Sequence, residues 1–358
     1  MKIPFADPLL GDEELNNVID AVKSTWIGAL GKYLGQFEKD FSGYLGSKHA
    51  STVTNGTVAI HAALLALGIK PGDEVIVPDM TFVATANAAA FIGAKVVLAD
   101  VEKDTWNIDP KEVAKKITKK TKAIIPVHLY GHPADMDPIM ELARKNGLFV
   151  VEDCAEAAGA EYKGRKVGTI GDIGCFSFHA SKLITTGEGG MCVTGRKELW
   201  EKIEHLKNHA MDEKRRYWHD MIGYNYRMTN IQAAIGVAQL RKLDRIIEKK
   251  RRIAGKYMDF LEGVGDIRFP AEKEWAKNVF WFFSMLSSKK DAIEIALKNR
   301  GIETRPFFWP MHELPMFRSS EKFPVSSMLH REGISLPSSA LLEEGHIREV
   351  CRVIKSVF

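Results

Sequence analysis

The sequence has little that points to the extracellular space, a membrane or a metal. Its four cysteines, Cys154, Cys175, Cys192 and Cys351, are scattered without metal-ligand spacing. Three lie in apolar, strand-like contexts, which reads as buried free thiols. No apolar run reaches membrane-spanning length, and Met1-Lys-Ile-Pro-Phe lacks the apolar core of a signal peptide, so a cytoplasmic location is expected. Charge of one sign is also lacking: 50 basic against 46 acidic residues leave +4, which does not suggest nucleic acid as a partner. A few cations grouped in a pocket would still attract a nucleotide diphosphate. The histidines form no triad at ligand spacing, so no metal is expected. There is no repeat, low-complexity tract or flexible linker.

What is present is ordinary globular composition, 45% hydrophobic and 27% charged over 358 residues, enough for two cores. Leu15, Val18, Ile19 and Val22 predict a helix over 12–24. The glycine-rich stretch 26–35 reads as loop, and Phe37, Phe41 and Tyr44 mark another helix. From residue 50 the pattern alternates: strands at 50–54, 74–77, 95–99, 122–127 and 148–152, helices at 57–67, 82–92, 110–117 and 135–145. Such alternation predicts an α/β fold, a parallel sheet covered by helices on both faces. Strands at 175–178 and 190–194 flank a further loop. A polar stretch, 208–220, interrupts the pattern before a long helix over 230–257. The last hundred residues mix a strand at 281–286 with helices at 290–299 and 344–356. This divides the chain into a large α/β domain, 1–235, and a small α+β domain, 236–358.

The loop between the strands at 175–178 and 190–194 contains Phe176-Ser-Phe-His-Ala-Ser-Lys182-Leu-Ile-Thr-Thr-Gly-Glu-Gly-Gly190. The apolar run Leu148-Phe-Val-Val-Glu-Asp153 reads as a buried strand ending in a carboxylate. A lysine that forms a Schiff base with pyridoxal phosphate needs such a partner, because a carboxylate on the pyridine nitrogen makes the ring an electron sink. A third signal, Thr54-Asn-Gly-Thr57, opens a helix directly after a strand, where free N–H groups favour an anion.

Taken together, these pieces resemble the DegT/DnrJ/EryC1/StrS family of sugar aminotransferases. Pro71-Gly-Asp-Glu-Val-Ile-Val-Pro78, Thr81-Phe-Val-Ala-Thr85, Glu152-Asp153 and Gly223-Tyr-Asn-Tyr-Arg-Met228 extend the likeness, and the C-terminal third fits more loosely. The resemblance implies the aspartate-aminotransferase fold with pyridoxal 5'-phosphate as cofactor and pyridoxamine phosphate as its alternate form. It makes Lys182 the nucleophile and acid–base group, and Asp153 the partner of the pyridine nitrogen. Gly56, Thr57 and Ser177 would hold the phosphate, Phe82 would stack on the ring, and Glu156 would contact the ring oxygen. Asn225 would reach the phosphate of a neighbouring subunit, making the protein a homodimer with shared sites.

His128-Leu-Tyr-Gly-His-Pro-Ala-Asp-Met136, Arg216-Tyr-Trp-His219 and Arg305-Pro-Phe-Phe-Trp-Pro-Met-His312 most resemble the branch of the family that forms GDP-perosamine. That branch implies transfer of an amino group from L-glutamate to C4 of GDP-4-keto-6-deoxy-D-mannose. Candidate substrate contacts are Trp26, Lys32, Tyr217, Trp218, His219, Arg305 and His312. The rivals are a UDP- or dTDP-keto-sugar aminotransferase acting at C3 or C4, and a regulatory relative without turnover. A sugar dehydratase of the family is disfavoured, since that branch has histidine where this chain has Lys182.

Overall fold

The computed structural model describes residues 3–358. In chain order its first nine strands are β1 (His49–Val53), β2 (Glu74–Pro78), β3 (Lys95–Ala99), β4 (Thr121–Ile124), β5 (Phe149–Asp153), β6 (Glu161–Tyr162), β7 (Arg165–Lys166), β8 (Ile173–Ser177) and β9 (Gly190–Thr194). All but β6 and β7 join one seven-stranded sheet in the order β1-β9-β8-β5-β4-β2-β3. Within it β9 runs antiparallel to both its neighbours, and the other pairs are parallel. The α/β expectation holds, with one reversed strand.

Alternate residues along each strand serve different layers, as the two-residue pleat requires. Val75, Val77, Val151 and Cys175 face a core with α3 (Gly56–Ala66), α4 (Ala84–Phe91) and α7 (Lys197–Lys207). Ile76, Val150 and Phe176 face the opposite core, with α2 (Lys32–Leu45), α5 (Pro110–Lys116) and α6 (Met136–Asn146). The near-continuous apolar runs of β2 and β5 follow from burial on both sides.

Two further helices lie against this second layer. α1 (Asp12–Lys23) packs on α8 (Asn230–Leu261), a long helix that opens with a capping box of Thr229 and Gln232. The first half of α8 belongs to the core of the main sheet. Its later residues Ile253, Ala254, Tyr257 and Leu261 join a third core with Ile3, Phe283 and Ile334. Residues 235 and 236 therefore lie inside one continuous helix that both units share. The C-terminal unit adds β10 (Ala276–Lys277), β11 (Phe283–Leu286), β12 (Arg305–Pro306) and β13 (Gly333–Leu336), with α9 (Lys290–Asn299), α10 (Pro324–Glu332) and α11 (Glu344–Lys355). β13 lies between β11 and β12, while β10 pairs with the β6–β7 ribbon.

Two local expectations change. The loop predicted over 26–35 stops at Gly31, whose φ of 145° and missing side chain let it approach Asn230; a Cβ there would sit 2.4 Å from that side chain. Asn230 Oδ1 accepts the Tyr33 N–H, so α2 begins at Lys32. The strand predicted over 281–286, β11, starts at Phe283, because the Trp281 N–H is donated to Tyr130 O instead of a sheet neighbour. In α1, Leu15, Ile19 and Val22 are exposed, and Ala21 and Glu14 are the buried residues. Glu14 is compensated there by Lys242 and Gln239. All four cysteines are buried and unpaired. Among the described residues no helix is long and apolar enough to cross a membrane.

Candidate active site

β5 ends in two consecutive carboxylates that the pleat sends in opposite directions. Glu152 is buried among donors: Nε2 of His128 at 3.1 Å, and the N–H groups of Gly168, Ile170 and Gly171 at 2.7–2.8 Å. These bonds outweigh its burial and hold its carboxyl below the usual range. Asp153 is equally buried but has fewer donors, the Thr85 hydroxyl at 2.8 Å and the Ala155 N–H at 3.1 Å. Burial dominates there, and its carboxyl is pushed up.

Lys182 faces this second carboxylate from the loop between β8 and β9. Its N–H is donated to His179 O, which closes a tight turn. Burial lowers the ammonium pKa, while Glu156 and Asp153 oppose that shift by their charge. Nζ lies 3.8 Å from the ring centre of Trp281. Glu156 completes the group; its Oε2 accepts the Tyr130 N–H at 2.7 Å. It is buried, and desolvation pushes its pKa up to about 7, with Lys182 opposing. Asp153, Glu156 and Lys182 are thus brought together.

Gly56 is the first residue of α3, and Asn55 caps the helix by accepting the Val58 N–H at 3.0 Å. Among the described residues the N–H groups of Gly56 and Thr57 keep no partner, which leaves a helix N-terminus open to an anion. Glycine at 56 lets the backbone come close to such an anion. The structure adds a second reason for glycine: a Cβ there would come within 2.7 Å of the Ser177 Cβ. Gly56, Thr57 and the end of β8 at Ser177 therefore form one cup. A phosphate in it, with a pyridine nitrogen at Asp153 and an aldehyde at Lys182, fits the donor set of pyridoxal phosphate. Phe82, just before α4, is 53% exposed and meets Phe308 at 5.7 Å, so its ring is free to cover a flat ligand. The Asn225 side chain is exposed, while its backbone bridges to Asn208.

The substrate candidates are less gathered. Tyr217, at a φ of 66°, and Trp218 are 75% and 54% exposed on the 208–220 segment. His219 is occupied by His209 O at 2.9 Å. Trp26 is exposed, and its carbonyl accepts from Asn230. Lys32 was expected in a loop, but it is the first residue of α2 and pairs with Asp20 at 2.8 Å. Arg305 lies over Phe5 and donates to Thr304 O. His312 is anchored by its Nδ1 and backbone N–H on the buried carboxylate of Asp79, at 2.7 and 2.8 Å. These contacts give Lys32 and His312 structural partners in this chain.

Sequence reasoning missed Thr85, Tyr130 and Trp281. Thr85 ends the quoted Thr81-Phe-Val-Ala-Thr85 motif and was open to notice; Trp281 was concealed in an apolar run read as strand. His128, Glu152 and Cys154 converge closely enough to suggest a metal. Their atoms are already used: His128 Nδ1 accepts the Ala134 N–H, and the Cys154 thiol lies 3.8 Å from Glu152 O. Burial and the neighbouring carboxylates push that thiol well up, which disfavours the thiolate a metal requires.

Comparison with known proteins agrees with this geometry. The chain is 44% identical over 360 residues to a GDP-perosamine synthase of Escherichia coli O157:H7, covering 99% of this chain and 98% of that protein. It is 41% identical over 330 residues to a UDP-N-acetyl-3-dehydro-alpha-D-glucosamine 3-aminotransferase of Acidithiobacillus ferrooxidans, covering 91% and 89%. A putative sugar aminotransferase of Streptococcus pneumoniae, solved in PLP and PMP forms, superposes with a TM-score of 0.95 at 27% identity, over 100% of this chain and 98% of that one. The model of the DegT/DnrJ/EryC1/StrS aminotransferase family matches residues 8–355, and the chain belongs to that family.

Proposed function

We propose that the protein transfers the amino group of L-glutamate to C4 of GDP-4-keto-6-deoxy-D-mannose, giving GDP-perosamine. The observation that carries the reading is the Lys182 amine set against Asp153 and Glu156 in a chain 44% identical, end to end, to a protein of that activity. Bound pyridoxal phosphate would supply the electron sink and alternate with its pyridoxamine form as amino carrier. Lys182 would hold the cofactor through its amine, and its free amine would move a proton to or from the substrate carbon. Asp153 would face the pyridine nitrogen and favour positive charge there, and such a cation would oppose the upward shift that burial gives the carboxyl. Gly56, Thr57 and Ser177 would hold the phosphate, Phe82 would cover the ring, and Glu156 would face the ring oxygen.

We read the protein as a cytoplasmic homodimer in which Asn225 serves the partner's phosphate. Support comes from the exposed Asn225 side chain and the exposed apolar face of α1. Mixing Lys182→Ala with Asn225→Leu tests this. In a mixed dimer one site carries both defects and the other neither, so exchange should restore up to about half the activity. No recovery despite verified exchange would count against a shared site.

The substrate test is a panel of GDP-, UDP- and dTDP-linked keto-sugars with glutamate, read by mass spectrometry and NMR. The GDP-mannose-derived ketone should lead in kcat/KM by at least ~10². The 41% identity to a UDP-sugar 3-aminotransferase supports the rival reading. A UDP or dTDP preference, or amination at C3, would establish it.

A further inference from the structure

Four aromatic rings form a column between segments on either side of α8. Phe82 meets Phe308 at 5.7 Å, Phe308 stacks on Tyr130 at 5.7 Å and 13°, and Tyr130 lies 6.3 Å and 18° from Trp281. Phe82 and Tyr130 precede α8; Trp281 and Phe308 follow it. The column ends on Lys182, whose Nζ lies 3.8 Å from the Trp281 centroid.

Trp281 is fixed at each of its polar atoms. Its indole N–H donates to Ser181 O at 2.7 Å, immediately before Lys182. Its backbone N–H donates to Tyr130 O at 3.0 Å, in the turn whose N–H holds Glu156. Its carbonyl accepts from Lys250 Nζ at 2.9 Å. Lys250 is a buried lysine of α8 whose second acceptor is Ser338 O at 2.8 Å, so it ties the helix to two C-terminal segments. Among the described residues it has no carboxylate partner.

Among the described residues Lys182 has no hydrogen-bonded carboxylate either. The oxygens of Asp153 are taken by Thr85 and Ala155, and Oε2 of Glu156 by Tyr130. A hydrogen-bonded ion pair would hold the amine as a cation. A ring face attracts it more weakly and leaves its direction free. We propose that Trp281 is a positioning residue for the reaction: its ring face is the resting place of the Lys182 amine, and Lys250 holds that ring through its backbone.

The charged groups around the amine are Asp153 and Glu156, with Asp7 and Lys250 lining the small cavity it shares with Ser181 and Ser339. They remain unchanged when only the ring is altered. Fluorinated tryptophans placed at position 281 withdraw charge from the ring face and keep its shape. Trace acetylation of the ligand-free protein against pH, with peptide mapping, reads the titration midpoint of Lys182. The midpoint should fall stepwise with fluorine number, by about half a unit to one unit across the series. Trp281→Met should move it in the same direction. A flat or rising series would overturn the proposal, since a ring that only excluded water would give no such trend. With one fluorine at position 281, the ¹⁹F resonance should broaden or split in Lys250→Met. An unchanged resonance would overturn the role of Lys250. The proposal rests on Lys182 as the reacting amine, but the labelling needs no turnover. A ring effect in a protein that failed to transaminate would separate the two.

Discussion

Asp153, Glu156 and Lys182 approach one another from a strand end, the turn after it and a tight loop, all packed against the sheet core. Tyr217, Trp218 and His219 instead stand on a segment that leaves the sheet, with the first two rings more than half exposed. The first region is fixed before any ligand arrives, because its carboxylates and backbone donors are paired inside the protein. The second has surface to offer but few internal bonds to define its shape. Chemistry common to a family belongs in the first kind of region, and a choice among nucleotide sugars can be made in the second.

The largest effect should come from the rigid side. On the proposed reading Lys182→Ala removes both the amine that would bind the cofactor and the proton carrier, so 2-oxoglutarate release should fall by at least ~10⁴-fold. Borohydride should fix a pyridoxyl group on Lys182 in the unmodified protein and on no other lysine. A label elsewhere would move the centre of the site.

Asp153→Asn comes next. The amide keeps an oxygen for the Ala155 N–H, so the fold should survive, but it removes the charge proposed to hold a proton on the pyridine nitrogen. The single-turnover reaction with glutamate should slow by about 10²–10³-fold. Near-normal rates would mean that another carboxylate serves the ring.

Glu152 and Glu156 sharpen the comparison within the buried region. Four donors hold Glu152 ionised, while Glu156 has one backbone donor and a pKa pushed up to about 7. Between the usual carboxylate range and about pH 7 the folded, ligand-free protein keeps a proton on Glu156 that the unfolded chain has released. Its stability should therefore fall as pH rises through that window. Glu156→Gln should remove this slope and raise stability at pH 8 by about 1–3 kcal/mol. Denaturant melts of the ligand-free protein from pH 5 to 8.5 would measure it; an unchanged slope would refute the assignment to Glu156.

The difference between the regions is also a difference in legibility. The strand–helix alternation, the aspartate closing β5 and the lysine loop could be read because period, strand length and a buried carboxylate leave direct traces in sequence. Trp281 could not be read this way: its position depends on a backbone bond to Tyr130 and a buried lysine 31 residues before it, neither visible in a local pattern. The same limit applied to Lys32 and His312. Both stood among the candidate substrate contacts, but Asp20 and Asp79 partner them in the folded chain. The apolar spacing at Leu15, Ile19 and Val22 marked α1 as a helix but could not say what covers that face, which is exposed in this chain.

The smallest effects should therefore come from the open side, and they should be unequal. Trp218 presents a half-exposed ring whose indole N–H has no hydrogen-bond partner among the described residues, and only the Arg215 guanidinium approaches its face, at 5.9 Å, so it has surface to stack on a base or sugar. Trp218→Ala should raise KM for the nucleotide sugar about tenfold and leave the glutamate half-reaction unchanged, the loss expected for one stacking contact. Lys32 is already engaged by Asp20, which holds its ammonium pKa up. An exposed pair of this kind contributes little. Lys32→Ala should change KM and kcat by less than about threefold. Steady-state kinetics of the two variants side by side measure the contrast. A larger loss at Lys32 than at Trp218 would mean that the ammonium leaves Asp20 for the substrate, and that the first turn of α2 belongs to the nucleotide site.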